Sequence, residues 1–173
     1  VRFLFAVFYV FCMYTILLTE NIFSVASIRT IQLFRAARSW SFIMQLVTST
    51  FFFVLIFSLK VPFYVVGGVV GGVSFLLGFG GLWSIDLKTE HMEEVKRLSW
   101  LVGYLMFCYG LALSFWPVKP FMGGLALTSC FYSLMGIFEQ RLLNKMSVVG
   151  QVEFIVFNLT VLVVTFMATS WRG

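Results

Sequence analysis

Long apolar blocks alternate with short polar ones along this chain. Charge-free runs occupy residues 3–19, 39–59, 61–85, 98–118, 120–138 and 154–171, with lengths of 17, 21, 25, 21, 19 and 18 residues. An α-helix rises about 1.5 Å per residue, so about 20 residues cross the roughly 30 Å hydrocarbon core of a bilayer. Inside lipid each backbone N–H and C=O needs a partner within the chain, which makes the runs helices. Barrel strands would alternate apolar and polar residues, and Phe51-Phe52-Phe53-Val54-Leu55-Ile56-Phe57 does not. The pattern predicts an all-α integral membrane protein, a polytopic bundle of about six transmembrane helices. It forms a single transmembrane domain, 1–173, with spans at about 3–19, 40–59, 62–84, 98–117, 120–138 and 153–171.

The tryptophans sit where these spans meet water. Trp40 and Trp100 open runs two and four, while Trp83, Trp116 and Trp171 close runs three, four and six. Indole prefers the headgroup level, with its ring half buried and its N–H wet, so these five are predicted interfacial anchors.

Two stretches run in parallel. The first reads Arg38-Ser39-Trp40, a span, Lys60-Val61-Pro62-Phe63, Gly67-Gly68 and a second span. The second reads Arg97-Leu98-Ser99-Trp100, a span, Lys119-Pro120-Phe121, Gly123-Gly124 and a second span. Proline's fixed φ and missing donor suit the first turn of each returning helix. A duplicated helical hairpin, 38–83 and 97–138 with a period of about 58–60 residues, gives this pattern. So does the common physics of any two tight hairpins. Within run three, Gly67, Gly68, Gly71 and Gly72 form two overlapping small-xxx-small pairs, which allow close helix approach and are the predicted packing positions.

Composition sharpens the class. The chain is 61% hydrophobic and 11% charged, with a mean hydropathy of +1.00, against about 25% charged residues in soluble domains. A soluble globular domain and a disordered chain are both excluded. Three cysteines, Cys12, Cys108 and Cys130, all lie in apolar stretches, so a disulfide scaffold is not expected.

Charge placement orients the spans. With six crossings, one side receives Arg29, Arg35, Arg38, Lys88, Lys96, Arg97, Arg141 and Lys145, and the other Arg2, Lys60, Lys119 and Arg172. The positive-inside rule puts loops 20–39, 85–97 and 139–152 on the cytoplasmic-type side, which is the matrix side in a mitochondrion. The chain opens on Val1, which leaves room for a leader or other segment upstream.

Two polar segments bear on chemistry. Arg29, Arg35 and Arg38 recur at multiples of three residues, a spacing similar to the fourth helix of voltage-sensing domains. Gln32 breaks the series and the preceding span has no acidic countercharge. The segment is read instead as an interfacial helix before span two. Ile22, Phe23, Val25, Ile28, Ile31, Leu33 and Phe34 dip into acyl chains, and the three arginines meet anionic lipid headgroups. Residues 84–98 hold eight of the twenty titratable groups, including the lone His91. They are read as a surface helix with a Glu93–Arg97 pair.

Catalysis finds no support. The one histidine is in a loop, no carboxylate lies within a charge-free run, and Gly78-Phe79-Gly80-Gly81 is not followed by Lys-Ser/Thr. No catalytic residue, metal site or cofactor is expected. Gln45, Asn158 and Thr160 are candidates for interhelical hydrogen bonds.

The function expected is a non-catalytic accessory subunit of a larger membrane complex. Its partners are membrane lipids with anionic headgroups and other membrane subunits in a hetero-oligomer, with no nucleic acid. Bias toward Phe, Val, Gly, Leu and Trp suits an organellar energy-converting complex, such as one of the mitochondrial inner membrane. Two alternatives stand beside it: an oligomeric channel or small-solute carrier, and a membrane-shaping or trafficking protein acting through Arg29, Arg35 and Arg38.

Overall fold

The computed structural model describes residues 2–26, 33–85 and 92–169. Among them the chain forms six α-helices: α1 (Arg2–Ala26), α2 (Leu33–Ser58), α3 (Phe63–Trp83), α4 (Met92–Ser114), α5 (Pro120–Leu142) and α6 (Val148–Met167). All six are long and apolar enough to cross a membrane.

The helix ends differ from the charge-free runs. Helix α4 starts at Met92 rather than near 98, so Glu93, Glu94, Lys96 and Arg97 belong to its first turns. Glu93 and Glu94 there complement the positive end of the helix dipole. The segment expected as a separate surface helix is thus, over 92–98, part of α4. Its other charged residues, Asp86, Lys88, Glu90 and His91, lie outside the described residues. Likewise Ile22, Phe23 and Val25 continue α1, while Phe34, Arg35 and Arg38 begin α2, so no separate interfacial helix includes them. Ile28, Arg29 and Ile31 lie outside the described residues. A charge ends a hydropathy run, but a helix ends where its backbone groups are capped.

The α5–α6 connection shows this. Asn144 takes a left-handed φ of 51°. Its N–H donates to the Arg141 carbonyl at 3.0 Å, and the Lys145 N–H to that of Gln140 at 3.0 Å. These two bonds form a Schellman motif, with asparagine where glycine is usual. Ser147 then caps α6, its Oγ accepting from the Gly150 N–H at 3.1 Å. The ends so fixed carry Glu139 and Arg141 into α5 and Glu153 into α6. Across the chain, α5 begins with Pro120 in its first turn, and Lys60 turns α2 toward α3 with φ 49°.

The chain divides into two compact units, Val1–Met44 and Gln45–Gly173. In the first, α1 exposes large apolar side chains from Phe3 to Leu18. Phe23 is buried and meets Phe34 edge-on, with ring centroids 5.8 Å apart.

In the second unit α3 and α4 pack antiparallel at backbone contact. A Cβ added at Gly67 would meet Leu111 at 2.8 Å, one at Gly71 would meet Phe107 at 2.9 Å, and one at Gly78 would meet Val102 at 3.3 Å. Gly110 stands against Val70 in the same way, at 3.3 Å. The second half of α2 meets α5 in matching register. Gly124 is pressed against Val54, Thr128 Oγ1 lies 3.1 Å from Thr50 Oγ1, and the buried rings of Phe53 and Phe131 meet at 6.4 Å. One shift of 57 residues relates the two interfaces. It carries Val54 and Gly67 onto Leu111 and Gly124, and Thr50 and Gly71 onto Phe107 and Thr128.

The turns of this unit gather at two ends. Phe63 and Phe115 are in ring contact at 5.2 Å, which places the Lys60 and Lys119 turns together. At the other end Arg141 lies 3.5 Å from Glu94. The pair at the start of α4 is Lys96–Glu93 at 3.5 Å, in place of the expected Glu93–Arg97. Both ion pairs are solvent-exposed and contribute little.

Candidate functional site: a groove between α5 and α6

Helix α6 lies antiparallel to α5, held by small residues and one hydroxyl. Gly136 of α5 lets the Phe154 ring approach its backbone, and Gly150 of α6 does the same for Gln140. Buried Ser133 lies 2.9 Å from both the Ser129 and the Phe154 carbonyls. A buried hydroxyl needs an acceptor, and here the neighbouring helix offers one.

Toward the other end of α6 the two helices leave a groove of about 660 Å³. Met122, Leu125, Thr128, Ser129 and Tyr132 line it from α5, and Leu46 from α2. From α6 come Glu153, Phe154, Phe157, Thr160, Val161, Val164 and Thr165. The ten helical rises from Met122 to Tyr132 make it about 15 Å long. It is apolar along most of that length.

Its aliphatic hydroxyls behave alike. The hydroxyls of Ser129, Thr160 and Thr165 donate to the carbonyls of Ala126, Val156 and Val161 at 2.9, 2.8 and 2.8 Å. Thr128 Oγ1 lies 2.9 Å from the Gly124 carbonyl and 3.1 Å from Thr50 Oγ1. These protons are engaged, and what the hydroxyls turn toward the groove is lone pairs. Glu153, at the end nearer the Ser147 cap, is the one carboxylate among the described lining residues. It makes no hydrogen bond or ion pair with another described residue. Beside it Tyr132 packs edge-on against Phe154 at 5.5 Å and Phe157 at 5.3 Å. Among the described residues no lysine, arginine or histidine lines the groove.

The residues singled out in the sequence lie elsewhere. Gly67 and Gly71 are buried in the α3–α4 contact, whereas Gly68 and Gly72 are exposed and a Cβ on either meets nothing within 4 Å. Trp83 ends α3 and Trp116 follows α4, stacked edge-on with Phe166 at 5.6 Å. Trp40 and Trp100 lie two turns inside α2 and α4, because both helices begin earlier than the runs suggest. Trp100 is exposed and tilted against Phe75 at 5.0 Å. Arg35 is exposed and Arg38 half-buried at the start of α2, while Arg29 and Trp171 lie outside the described residues. Gln45 donates from Nε2 to the Leu77 carbonyl of α3. Asn158 reaches the Cys130 side chain of α5, and Thr160 bonds within its own helix.

Sequence reading missed Tyr132, Phe154 and Phe157 as a group. Glu153-Phe154 followed by Phe157 places a carboxylate and two rings within one turn of α6, a legible signal. Nothing local ties Tyr132 to them.

Residues 29–168 match the profile of DUF5656, a family of proteins of unknown function, and the chain belongs to that family. The match takes in α2 to α6. Comparison with curated proteins and with solved structures finds no match in either.

Proposed function

We propose that this member of the DUF5656 family crosses a lipid bilayer six times and serves as a non-catalytic accessory subunit of a larger membrane assembly. The observation that carries the reading is the outward face of α3. Tyr64, Gly68, Gly72, Leu76 and Gly80 recur every four residues, all exposed, and a Cβ at any of the three glycines would meet open space. The inward face of the same helix already uses Gly67, Gly71 and Gly78 against α4. Bulky side chains pack lipid tails well. A strip of bare backbone gains more from a second helix that approaches closely than from mobile acyl chains. The partner of this reading is a transmembrane helix of another subunit. Arg35 and Arg38, at the start of α2, meet the anionic headgroups of the surrounding lipid.

The mass and composition of the particle released by digitonin test it. The wild-type chain should run in a stoichiometric complex with other polypeptides. Replacing Gly68 and Gly72 together by leucine should leave the chain folded and release it from that complex. A wild-type chain that ran alone, or as a pure homo-oligomer, would end this reading.

A further inference from the structure

The α5–α6 groove carries a second inference, which rests on the reading of α6 as a bilayer-spanning helix. We propose that it binds a lipophilic amine, an ammonium group attached to an extended apolar tail. The ammonium is held at Glu153 among Tyr132, Phe154 and Phe157, and the tail lies along Met122, Leu125 and Val164.

Three observations converge on this ligand class. The groove is long and mostly apolar, which suits a chain-like body. Its aliphatic hydroxyls and its carboxylate offer acceptors, and Tyr132 adds one phenol. The hydroxyls of Ser129, Thr160 and Thr165 already donate to backbone carbonyls, Thr128 is engaged with Gly124 and Thr50, and the described lining residues include no cationic side chain. An anionic headgroup would meet the Glu153 carboxylate and these lone pairs, with no cation from the described residues to offset them. Finally, Glu153 lacks an ion-pair partner among the described residues and stands at the end of the groove where three rings cluster.

The position of Glu153 gives the argument its force. It lies five residues beyond Val148, the start of α6, about 8 Å along the axis. In a helix that crosses a bilayer a carboxylate at that depth calls for a counter-charge. Arg141 is paired with Glu94. A ligand ammonium supplies the missing cation, with ring faces to receive its alkyl-ammonium edge. Its N–H groups find the acceptors that the lining provides.

The full-length chain in phosphatidylcholine nanodiscs offers a direct test, with radiolabelled dodecylamine, dodecanol and dodecanoate as probes. Dodecylamine should bind saturably, one per chain, and about tenfold more tightly than dodecanol. Dodecanoate should bind more weakly than either. Glu153→Gln should bring dodecylamine down to the affinity of dodecanol and leave dodecanol unchanged. Thr160→Trp, at an exposed position on the groove rim, should fill the channel and abolish saturable binding of both. Equal binding of dodecylamine and dodecanol by the wild-type chain would overturn the proposal. So would an amine preference that survives Glu153→Gln, or binding that survives Thr160→Trp. A Glu153→Asp chain that keeps the amine preference would separate loss of charge from loss of fold.

Discussion

Gly71 of α3 and Gly103 of α4 face each other reciprocally. A Cβ on Gly71 would fall 3.0 Å from the Gly103 carbonyl oxygen, and a Cβ on Gly103 would fall 3.1 Å from that of Gly71. The nearest atoms, Phe107 Cβ and Phe75 Cβ at 2.9 Å, are bonded directly to backbone, and the carbonyl oxygens are backbone, so neither helix can yield by turning a side chain. Gly71→Ala and Gly103→Ala should each destabilise the chain by about 1–3 kcal/mol, the usual cost of overpacking. Gly72→Ala, one position away on the open face, should stay within about 0.5 kcal/mol of wild type. Unfolding by sodium dodecyl sulfate in bicelles compares them, and an equal loss from Gly72→Ala would refute this account of the interface.

Gly67 and Gly124 occupy equivalent places under the 57-residue shift but differ in what obstructs them. A Cβ at Gly67 meets Leu111 Cγ and Cδ2 at 2.8 Å and Phe107 Cε2 at 3.2 Å, all side-chain atoms. At Gly124 it also meets the Val54 backbone nitrogen at 2.9 Å and Cα at 3.1 Å. In double-mutant cycles Gly67→Ala should be rescued by Leu111→Ala with a coupling of about 0.5–3 kcal/mol. Gly124→Ala should recover much less when Val54→Ala is added. The reverse ranking would show the register to be wrong.

The α5–α6 turn rests on two residues. Ser147→Ala removes the oxygen that accepts from Gly150 and should lower stability by about 1 kcal/mol. At Asn144 the left-handed φ of 51° sets the outcome. Asn144→Val should cost about 1–2 kcal/mol, and Asn144→Gly should cost nothing or stabilise slightly. The same bicelle titration reads all three, and a harmless Asn144→Val would contradict the turn geometry.

Gln45 reaches across from α2 to the Leu77 carbonyl, and its amide lies where a Cβ on Gly81 would come within 2.6 Å of Oε1. Gln45→Leu should cost only about 0.6 kcal/mol, since interhelical hydrogen bonds between apolar helices are individually weak. A loss above about 2 kcal/mol, beyond the largest such bond in bacteriorhodopsin, would mean that Gln45 holds more than one contact.

The helices were legible because their cause is local. An uncharged apolar run of about 20 residues is one-dimensional information, and so is a proline at the start of α5. The helix ends were less so. Asn144 and Ser147 fix the α5–α6 boundary by hydrogen bonds, and these admit Glu139, Arg141 and Glu153 into helices that a search for charge-free runs cuts short. Glycine spacing shows which helix can be approached closely. It does not show from which side, because Gly67 and Gly68 are neighbours in sequence and face opposite surroundings.

The sequence alone therefore determined the all-helical class, the six apolar segments and the identity of the glycine-rich helix. Composition and the 1.5 Å rise suffice for these. Only the tertiary structure decided which glycines meet α4 and which remain open. It also decided that α2 with α5 and α3 with α4 share one register, and that Tyr132 joins Phe154, Phe157 and Glu153 at one groove. The reason is rotational. Each residue turns a helix by about 100°, so a neighbour's choice of face is set by the fit of side chains from distant segments, and hydropathy alone leaves that angle undetermined.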